Sequence, residues 1–178
     1  QPSRERIKYL CEPTKARVFS LNVTIRTSIL LTLHLTDPDI SIKDLLERWM
    51  VDKCDEKSDT AVDSRVCDEV RGLCAFPKLL VFGLRRIVSP RKKSRSKILD
   101  LSETIVLPNV LTGDTASYDL KAAVVHVGRT PNSGHYLTYI KHDDGTYWCA
   151  NDSSATKISD ATFFENCEEG NLFLFKRQ

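Results

Sequence analysis

The sequence predicts an α+β fold in which a mainly antiparallel β-sheet carries one or two short helices. Apolar and polar residues alternate over several segments, a pattern typical of half-buried strands. Only residues 41–50 combine helical spacing of apolar residues with a clear N-terminal cap. The chain has 178 residues, of which 41% are hydrophobic, so it can bury one core. We therefore expect residues 1–178 to form a single domain.

The first strand signal is Phe19–Ile25, where apolar and polar residues alternate. The apolar segment Thr27–Leu35 comes next, and it fits either a separate β-segment or a continuation of that first strand. It is too short to cross a bilayer and is interrupted by Thr32 and His34. The sequence thus predicts no membrane span.

The strongest helix signal covers residues 41–50. Ser41 can accept a hydrogen bond from the first turn as an N-cap. The apolar residues that follow lie on one helical face and are Ile42, Leu45, Leu46 and Trp49. A second, shorter helix is predicted at Asp160–Phe164.

A hairpin near the C-terminus carries the most informative polar residues. The segments Gly134–Tyr139 and Tyr147–Asp152 both read as strands, and Asp143–Gly145 between them is a strong turn signal. An antiparallel return from this turn brings Asn151 close to His135. A histidine held by Asn or Asp is the base and its orienting partner in a thiol-protease triad. The alternative is an ordinary strand histidine followed by an Asn-Asp-Ser turn, so the flanking residues must decide.

The flanking residues form a series of motifs. Tyr118–Gly128 reads Tyr-Asp-Leu-Lys-Ala-Ala-Val-Val-His-Val-Gly, and Gly134–Tyr136 reads Gly-His-Tyr. An aromatic pair then precedes Asn151 and Asp152. These motifs resemble, in order, the histidine box of the ubiquitin-specific protease family of deubiquitinases. In that family a Tyr-x-Leu-x-Ala-Val-Val-x-His-x-Gly strand leads into Gly-His-Tyr, followed by aromatic residues and Asn-Asp or Asp-Asp.

Other segments extend the resemblance over roughly residues 70–178. Phe76–Ile87 is similar to the family's Leu-Pro-x-x-Leu-x-apolar-x-Leu-Lys-Arg-Phe strand. Asn171–Phe175 resembles its closing strand. The resemblance implies the palm and fingers of a papain-like cysteine protease hand. On this basis residues 1–75 are the fingers-like part with helix 41–50, and residues 76–178 are the palm with the histidine box.

The resemblance also implies roles for three residues. His135 acts as general base and then acid, and Asn151 accepts from the imidazole N–H and fixes its tautomer. Asp152 is an auxiliary polar group. The implied partner is ubiquitin or a ubiquitin-like protein, whose C-terminal tail lies beside His135.

The nucleophile is where the sequence departs from the family. The family's Gly-x-x-Asn-x-Gly-Asn-Thr-Cys-Tyr box, which places a thiolate at a helix N-terminus, is absent. Cys11 is the only cysteine early enough to replace it, but it lacks the Gly-Asn approach, and Glu12 disfavours a thiolate. The chain enters the family pattern midway, which favours truncation. We therefore expect the thumb, the helical subdomain with the thiol, upstream or on another polypeptide.

The cysteine spacing predicts no structural zinc and no other cofactor. Family members often hold zinc with two Cys-x-x-Cys pairs, whereas Cys54, Cys67 and Cys74 are spaced by thirteen and seven residues. The family acts inside cells, in the cytoplasm or nucleus. Reduced thiols are therefore expected.

Two charged segments read as loops. Asp52–Asp68 has few apolar residues and is predicted to be a mobile loop. Pro90–Arg95 is a basic cluster that fits a nuclear-import or nucleic-acid role, but a solvated loop between strands agrees better with the family pattern. The net charge of +2 gives no nucleic-acid footprint, so nucleic acid is not an expected partner.

Three functions remain open from the sequence. The chain is part of an active deubiquitinase whose thumb lies elsewhere, or a catalytically inactive palm retained as a ubiquitin-binding or scaffold module in a larger assembly. The third function is that of a structural β-domain with no link to ubiquitin. Retention of His135 and Asn151 favours the first, whereas loss of the cysteine box favours the second.

Overall fold

The computed structural model describes residues 30–35, 39–54, 67–70, 72–89, 92–94, 96–130 and 133–178. The predicted strand Phe19–Ile25, Cys11 and most of the predicted loop Asp52–Asp68 lie outside these ranges. Within them, no helix is long and apolar enough to cross a membrane.

Strands dominate the described ranges, as predicted, and two helices accompany them. In chain order the elements are β1 Leu30–His34, β2 Asp39–Ser41, α1 Ile42–Met50, β3 Val51–Cys54, β4 Cys67–Val70, β5 Leu79–Arg85, β6 Ile87–Ser89, β7 Lys92–Lys93, β8 Lys97–Leu99, β9 Ile105–Pro108, β10 Thr115–Thr130, β11 Ser133–Lys141, β12 Tyr147–Asn151, β13 Ser154–Ile158, α2 Asp160–Cys167 and β14 Gly170–Arg177.

One large sheet organises the fold, with strand order β1-β5-β14-β10-β11-β12-β13 and β9 paired to β10. All its pairings are antiparallel except that of β1 with β5. The α+β, mainly antiparallel fold is therefore confirmed. The apolar segment Thr27–Leu35 contributes β1 to this sheet, where it pairs parallel to β5. The charged segments contribute the stems of the β3–β4 and β6–β7 hairpins.

The core lies on one face of the large sheet, because side chains alternate between the faces of each strand. The helices and the small β2–β8 sheet supply further core side chains. The fully buried core residues with large side chains are Leu33, Ile42, Phe82, Ile98, Tyr118, Phe163, Phe173 and Phe175. Burying one such side chain contributes about 1.5–3 kcal/mol to folding. This core fixes the long strand β10, and through it the position of β11.

Both predicted helices are present. Ser41 caps α1, since its Oγ accepts the Asp44 N–H at 3.0 Å. Helix α2 starts at Asp160 as predicted but continues beyond the predicted end at Phe164 to Cys167. The reason is packing: Phe163 and Cys167 are one turn apart, and both are fully buried.

Arg86 forms hydrogen bonds to backbone carbonyls at and beyond the C-terminal end of α2. Its buried guanidinium donates to the Gly170 carbonyl at 2.7 Å, to the Glu168 carbonyl at 3.0 Å and to the Ser96 carbonyl. Burial lowers the pKa of Arg86 to about 10. These carbonyls include ones that a helix leaves unpaired at its C-terminus, so Arg86 joins β5, α2 and β14.

Candidate functional site

The predicted turn closes the β11–β12 hairpin. The His142 N–H donates to the Thr146 carbonyl at 2.8 Å, and Gly145 has a φ of 82°. Asp144 Oδ1 accepts from the Thr146 N–H at 2.9 Å and from its hydroxyl at 2.7 Å, and this lowers the pKa of Asp144. The turn residues thus fix the register of the two strands.

That register brings His135 and Asn151 together. Thr138 is paired with Ala150, so His135 and Asn151 project from the same face of adjacent antiparallel strands. The distance between His135 Nε2 and Asn151 Oδ1 is 2.6 Å. The hydrogen bond expected from the turn signal is present.

The carboxamide determines how the imidazole can act. Asn151 Oδ1 is an acceptor, so Nε2 of His135 carries the proton and Nδ1 is the nitrogen with a free lone pair. The His135 side chain is 45% exposed, which leaves it open to a reacting group. This is the arrangement of a general base held in one tautomer by an orienting partner.

Asp152 is the second polar residue beside the imidazole of His135. Its Oδ2 is 3.8 Å from His135 Nε2, and its side chain is 80% exposed. Asp152 adopts a left-handed φ of 50° in the tight turn between β12 and β13, a conformation that Asp tolerates better than most residues. The Asn-Asp pair is therefore both a turn and a polar flank of the imidazole.

None of the described cysteine side chains can act as the partner nucleophile of His135. Cys149 is paired with Tyr139, about 13 Å along the sheet from His135 at roughly 3.3 Å per strand residue. It also hydrogen-bonds the Tyr139 hydroxyl, and burial, followed by the neighbouring Cys149, raises the pKa of Tyr139 to about 12. Proton transfer needs a separation of about 3 Å.

The other two described thiols are unsuitable for different reasons. Cys167 is fully buried, and burial raises the pKa of its thiol. Cys74 is exposed, but its carbonyl accepts from Asn109 Nδ2 at 3.0 Å, which places it at the β9 end of β10. His135 lies beside Val127 at the opposite end, roughly 40 Å along the strand.

Metal binding finds no support in the described part of the chain, where no group of three or more His, Cys, Asp or Glu side chains could hold an ion. Cys54 and Cys67 stand opposite each other in the β3–β4 register.

Sequence motifs did not reveal what His126 does. The sequence presented it only as one position of the Tyr118–Gly128 motif. Its side chain is 5% exposed and lies against the ring of Tyr136, with centroids 4.8 Å apart. A polar residue in the middle of an apolar strand was the signal that could have drawn attention to it.

Comparison with known proteins identifies the class of domain. The family model described as "Ubiquitin carboxyl-terminal hydrolase" matches residues 19–175. Ubiquitin carboxyl-terminal hydrolase 25 of Arabidopsis thaliana is 32% identical over 103 residues, covering 56% of this chain and 15% of the relative. Ubiquitin carboxyl-terminal hydrolase 3 of Mus musculus is 29% identical over 142 residues, covering 79% of this chain and 27% of the relative.

Solved structures show the same fold. The SAGA DUB module Ubp8/Sgf11/Sus1/Sgf73 bound to monoubiquitin superposes with a TM-score of 0.67 at 21% identity, covering 83% of this chain and 35% of that one. A crystal structure of an essential yeast splicing factor gives a TM-score of 0.58 at 18% identity, covering 84% of this chain and 36% of that one.

The fold and the match define a deubiquitinase-type hydrolase domain. The chain belongs to the ubiquitin carboxyl-terminal hydrolase family, the ubiquitin-specific proteases. It spans between about one seventh and one third of the lengths of the relatives given above.

Proposed function

We propose that this chain supplies the imidazole and carboxamide of a thiol isopeptidase site that acts on the C-terminal tail of ubiquitin or a ubiquitin-like protein. The observation that carries the proposal is the 2.6 Å contact between His135 Nε2 and Asn151 Oδ1. Membership of a deubiquitinase family supports the substrate class. The nucleophilic cysteine comes from a thumb-bearing segment, in the same polypeptide or in another one.

In this proposal each nitrogen of His135 has its own role. Nδ1 accepts the proton from the thiol, and the thiolate attacks the carbonyl carbon of the C-terminal glycine of the tail. The same nitrogen then gives the proton to the departing amine, leaving a thioester. In the second half, Nδ1 takes a proton from water, and the resulting hydroxide attacks the thioester carbonyl carbon. The tail leaves as a carboxylic acid, and the departing thiolate takes the proton back from Nδ1. Asn151 holds Nε2–H throughout, and Asp152 adds a negative charge beside the imidazolium.

The relationship to ubiquitin is supported by solved structures with the same fold. The SAGA DUB module is described as bound to monoubiquitin and contains partner subunits. Without a thumb this chain presents only part of such a binding surface. We expect a dissociation constant in the tens to hundreds of micromolar, about −5 to −6 kcal/mol, and tighter binding when the thumb is added.

The proposal is tested by supplying the missing thiol. The 178-residue chain is mixed with a cysteine-bearing thumb segment from a family relative, and cleavage of a ubiquitin C-terminal amide is followed. We expect cleavage only when both components are present, and loss of cleavage with His135→Ala. A matched control is His142→Ala, because His142 is an exposed histidine in the hairpin turn.

Two results contradict parts of the proposal. If the chain alone reacts with a ubiquitin-based thiol warhead, and His135→Ala abolishes the reaction, the nucleophile is in this chain. NMR titration of labelled ubiquitin provides the second test. If no ubiquitin resonance shifts at millimolar chain, with or without the thumb, the link to ubiquitin fails.

A catalytically inactive scaffold is the second candidate. It is favoured by the distance of the described thiols from His135. A scaffold of this kind binds ubiquitin or partner subunits but gains no activity from an added thumb. Binding without cleavage in the reconstitution therefore identifies it.

A further inference from the structure

His126 lies behind His135, on the other side of the sheet. Val127 is paired with His135 and His126 with Tyr136, so His126 and Tyr136 project from one face while Val127 and His135 project from the other. The imidazole of His126 is 5% exposed, whereas that of His135 is largely open. The two rings therefore lie on opposite faces of the β10–β11 pair.

Two glycines pack directly on the ring of His126. A Cβ at Gly134 would lie 2.5 Å from His126 Nε2, and a Cβ at Gly128 would lie 2.8 Å from its Cε1. Neither glycine has a left-handed φ, so the requirement for glycine here is close approach rather than backbone conformation. The ring of Tyr136 also lies against His126, with centroids 4.8 Å apart.

The backbone at His126 is held as well as its ring. Its N–H donates to Asn171 Oδ1 at 3.1 Å, where the register between β10 and β14 shifts. A second register shift, between β10 and β11, lies just beyond Val127. The backbone at His126 is thus held between two register shifts. Gly134, the residue before His135 in the chain, packs on the His126 ring.

We propose that His126 is a positioning residue. Its ring fixes the position of the Gly134 backbone relative to the sheet and thereby keeps His135 in hydrogen-bond contact with Asn151. This inference rests on the proposed role of His135. Removing the His126 ring leaves a cavity beside Gly134. The β11 backbone can then shift into that cavity, toward the face that carries His126. The His135 side chain, bonded to Asn151 at the end of β12, then loses its single orientation.

The test follows the His135 side chain by NMR in the 178-residue chain without substrate. Three-bond couplings give its χ1 rotamer populations, and NOEs report its proximity to the Asn151 side chain. With His126→Ala we expect the His135 side chain to average between χ1 rotamers. The population hydrogen-bonded to Asn151 should fall about tenfold, equivalent to roughly 1.4 kcal/mol. His126→Gln places an amide near the position of Nε2 and should restore most of the bonded population.

The matched control is Leu107→Ala, which removes a buried side chain at the far end of β10. It should lower the free energy of unfolding without changing the His135 rotamer. A His135 signature that stays unchanged in His126→Ala overturns the inference, as does an equal change in the Leu107 control. If His126→Ala does not fold, Gly134→Ala decides, because its Cβ would lie 2.5 Å from His126 Nε2 and displace the β11 backbone. A His135 side chain more mobile than in the Leu107 control then supports positioning, and an unchanged one overturns it. Because no ubiquitin or thiol is present, this test can fail while the proposed function stands.

Discussion

Asn151 lies diagonally across the β11–β12 pair from His135, because the register places Ala150 opposite Thr138. Diagonal neighbours are further apart than directly opposed residues, so the contact needs a side chain that reaches along the sheet. The carboxamide of Asn151 does so and meets Nε2 at 2.6 Å. The identity of this side chain therefore sets the group that is hydrogen-bonded to the imidazole.

Asn151→Asp should raise the pKa of His135. The new carboxylate faces the imidazole at hydrogen-bond distance and favours its protonated form. A raised folded-state pKa adds stability below about 6.5, the unfolded value, and that gain is lost as the pH rises through the folded value. An NMR pH titration of the His135 ring protons measures the shift. The control is Asn166→Asp on α2, where the amide bonds the Thr162 carbonyl, and it should leave the His135 titration unchanged.

Arg86→Met should destabilise the fold much more than Arg85→Met. Arg86 is buried and donates to three backbone carbonyls, and methionine would remove all three of these hydrogen bonds. Arg85, the preceding residue, is exposed at the end of β5. We expect a loss of about 3 kcal/mol for Arg86→Met and less than about 0.5 kcal/mol for the control. Urea unfolding measures both, and equal losses would show that the buried hydrogen bonds contribute little.

Asp143 should make stability depend on pH in the acid range. Hydrogen bonds from Lys121 and Lys176, at 2.7 and 3.0 Å, lower the pKa of Asp143 to about 2. A lowered folded-state pKa gives stability that is present above the unfolded value, near 3.9, and lost as the pH falls through about 2. Asp143→Asn should flatten this part of the unfolding curve.

The same contribution should weaken at high salt, because Asp143 is exposed. Glu103→Gln, another exposed acidic residue, serves as the control and should retain the acid dependence. If the free energy of unfolding of Asp143→Asn depends on acid pH as that of the unchanged chain does, the two lysines do not act on Asp143 in solution.

The described cysteines should react with iodoacetamide in the order Cys74, Cys149, Cys167. Cys74 is exposed, Cys149 is half-buried against Tyr139, and Cys167 is fully buried with its thiol pKa raised by burial. Peptide mapping by mass spectrometry after timed labelling of the folded chain gives the three rates. Labelling in urea should remove the differences. Preferential labelling of Cys149 over Cys74 in the folded chain would contradict this order and reveal an activated thiol at Cys149.

Local signals in the sequence determined much of the candidate site. The Asp143–Gly145 turn fixes the hairpin, and strand alternation then decides that His135 and Asn151 share a face. The N-cap Ser41 and the apolar spacing of residues 42–49 likewise set α1. These features depend on residues close together in the chain, so the sequence specifies them without knowledge of the rest of the fold.

Long-range packing decided what the sequence could not. The parallel pairing of β1 with β5 joins segments far apart in the chain, and no local pattern identifies a parallel partner. Helix α2 passes its predicted end because Cys167 finds room in the core and Arg86 binds the carbonyls beyond it. Gly134 and His126 are on adjacent strands of one hairpin, but no sequence pattern shows that the His126 ring is buried against the backbone that carries His135. The sequence by itself determined which residues meet across the hairpin, and only the tertiary structure decided what holds them there, because burial depends on neighbours brought together by folding.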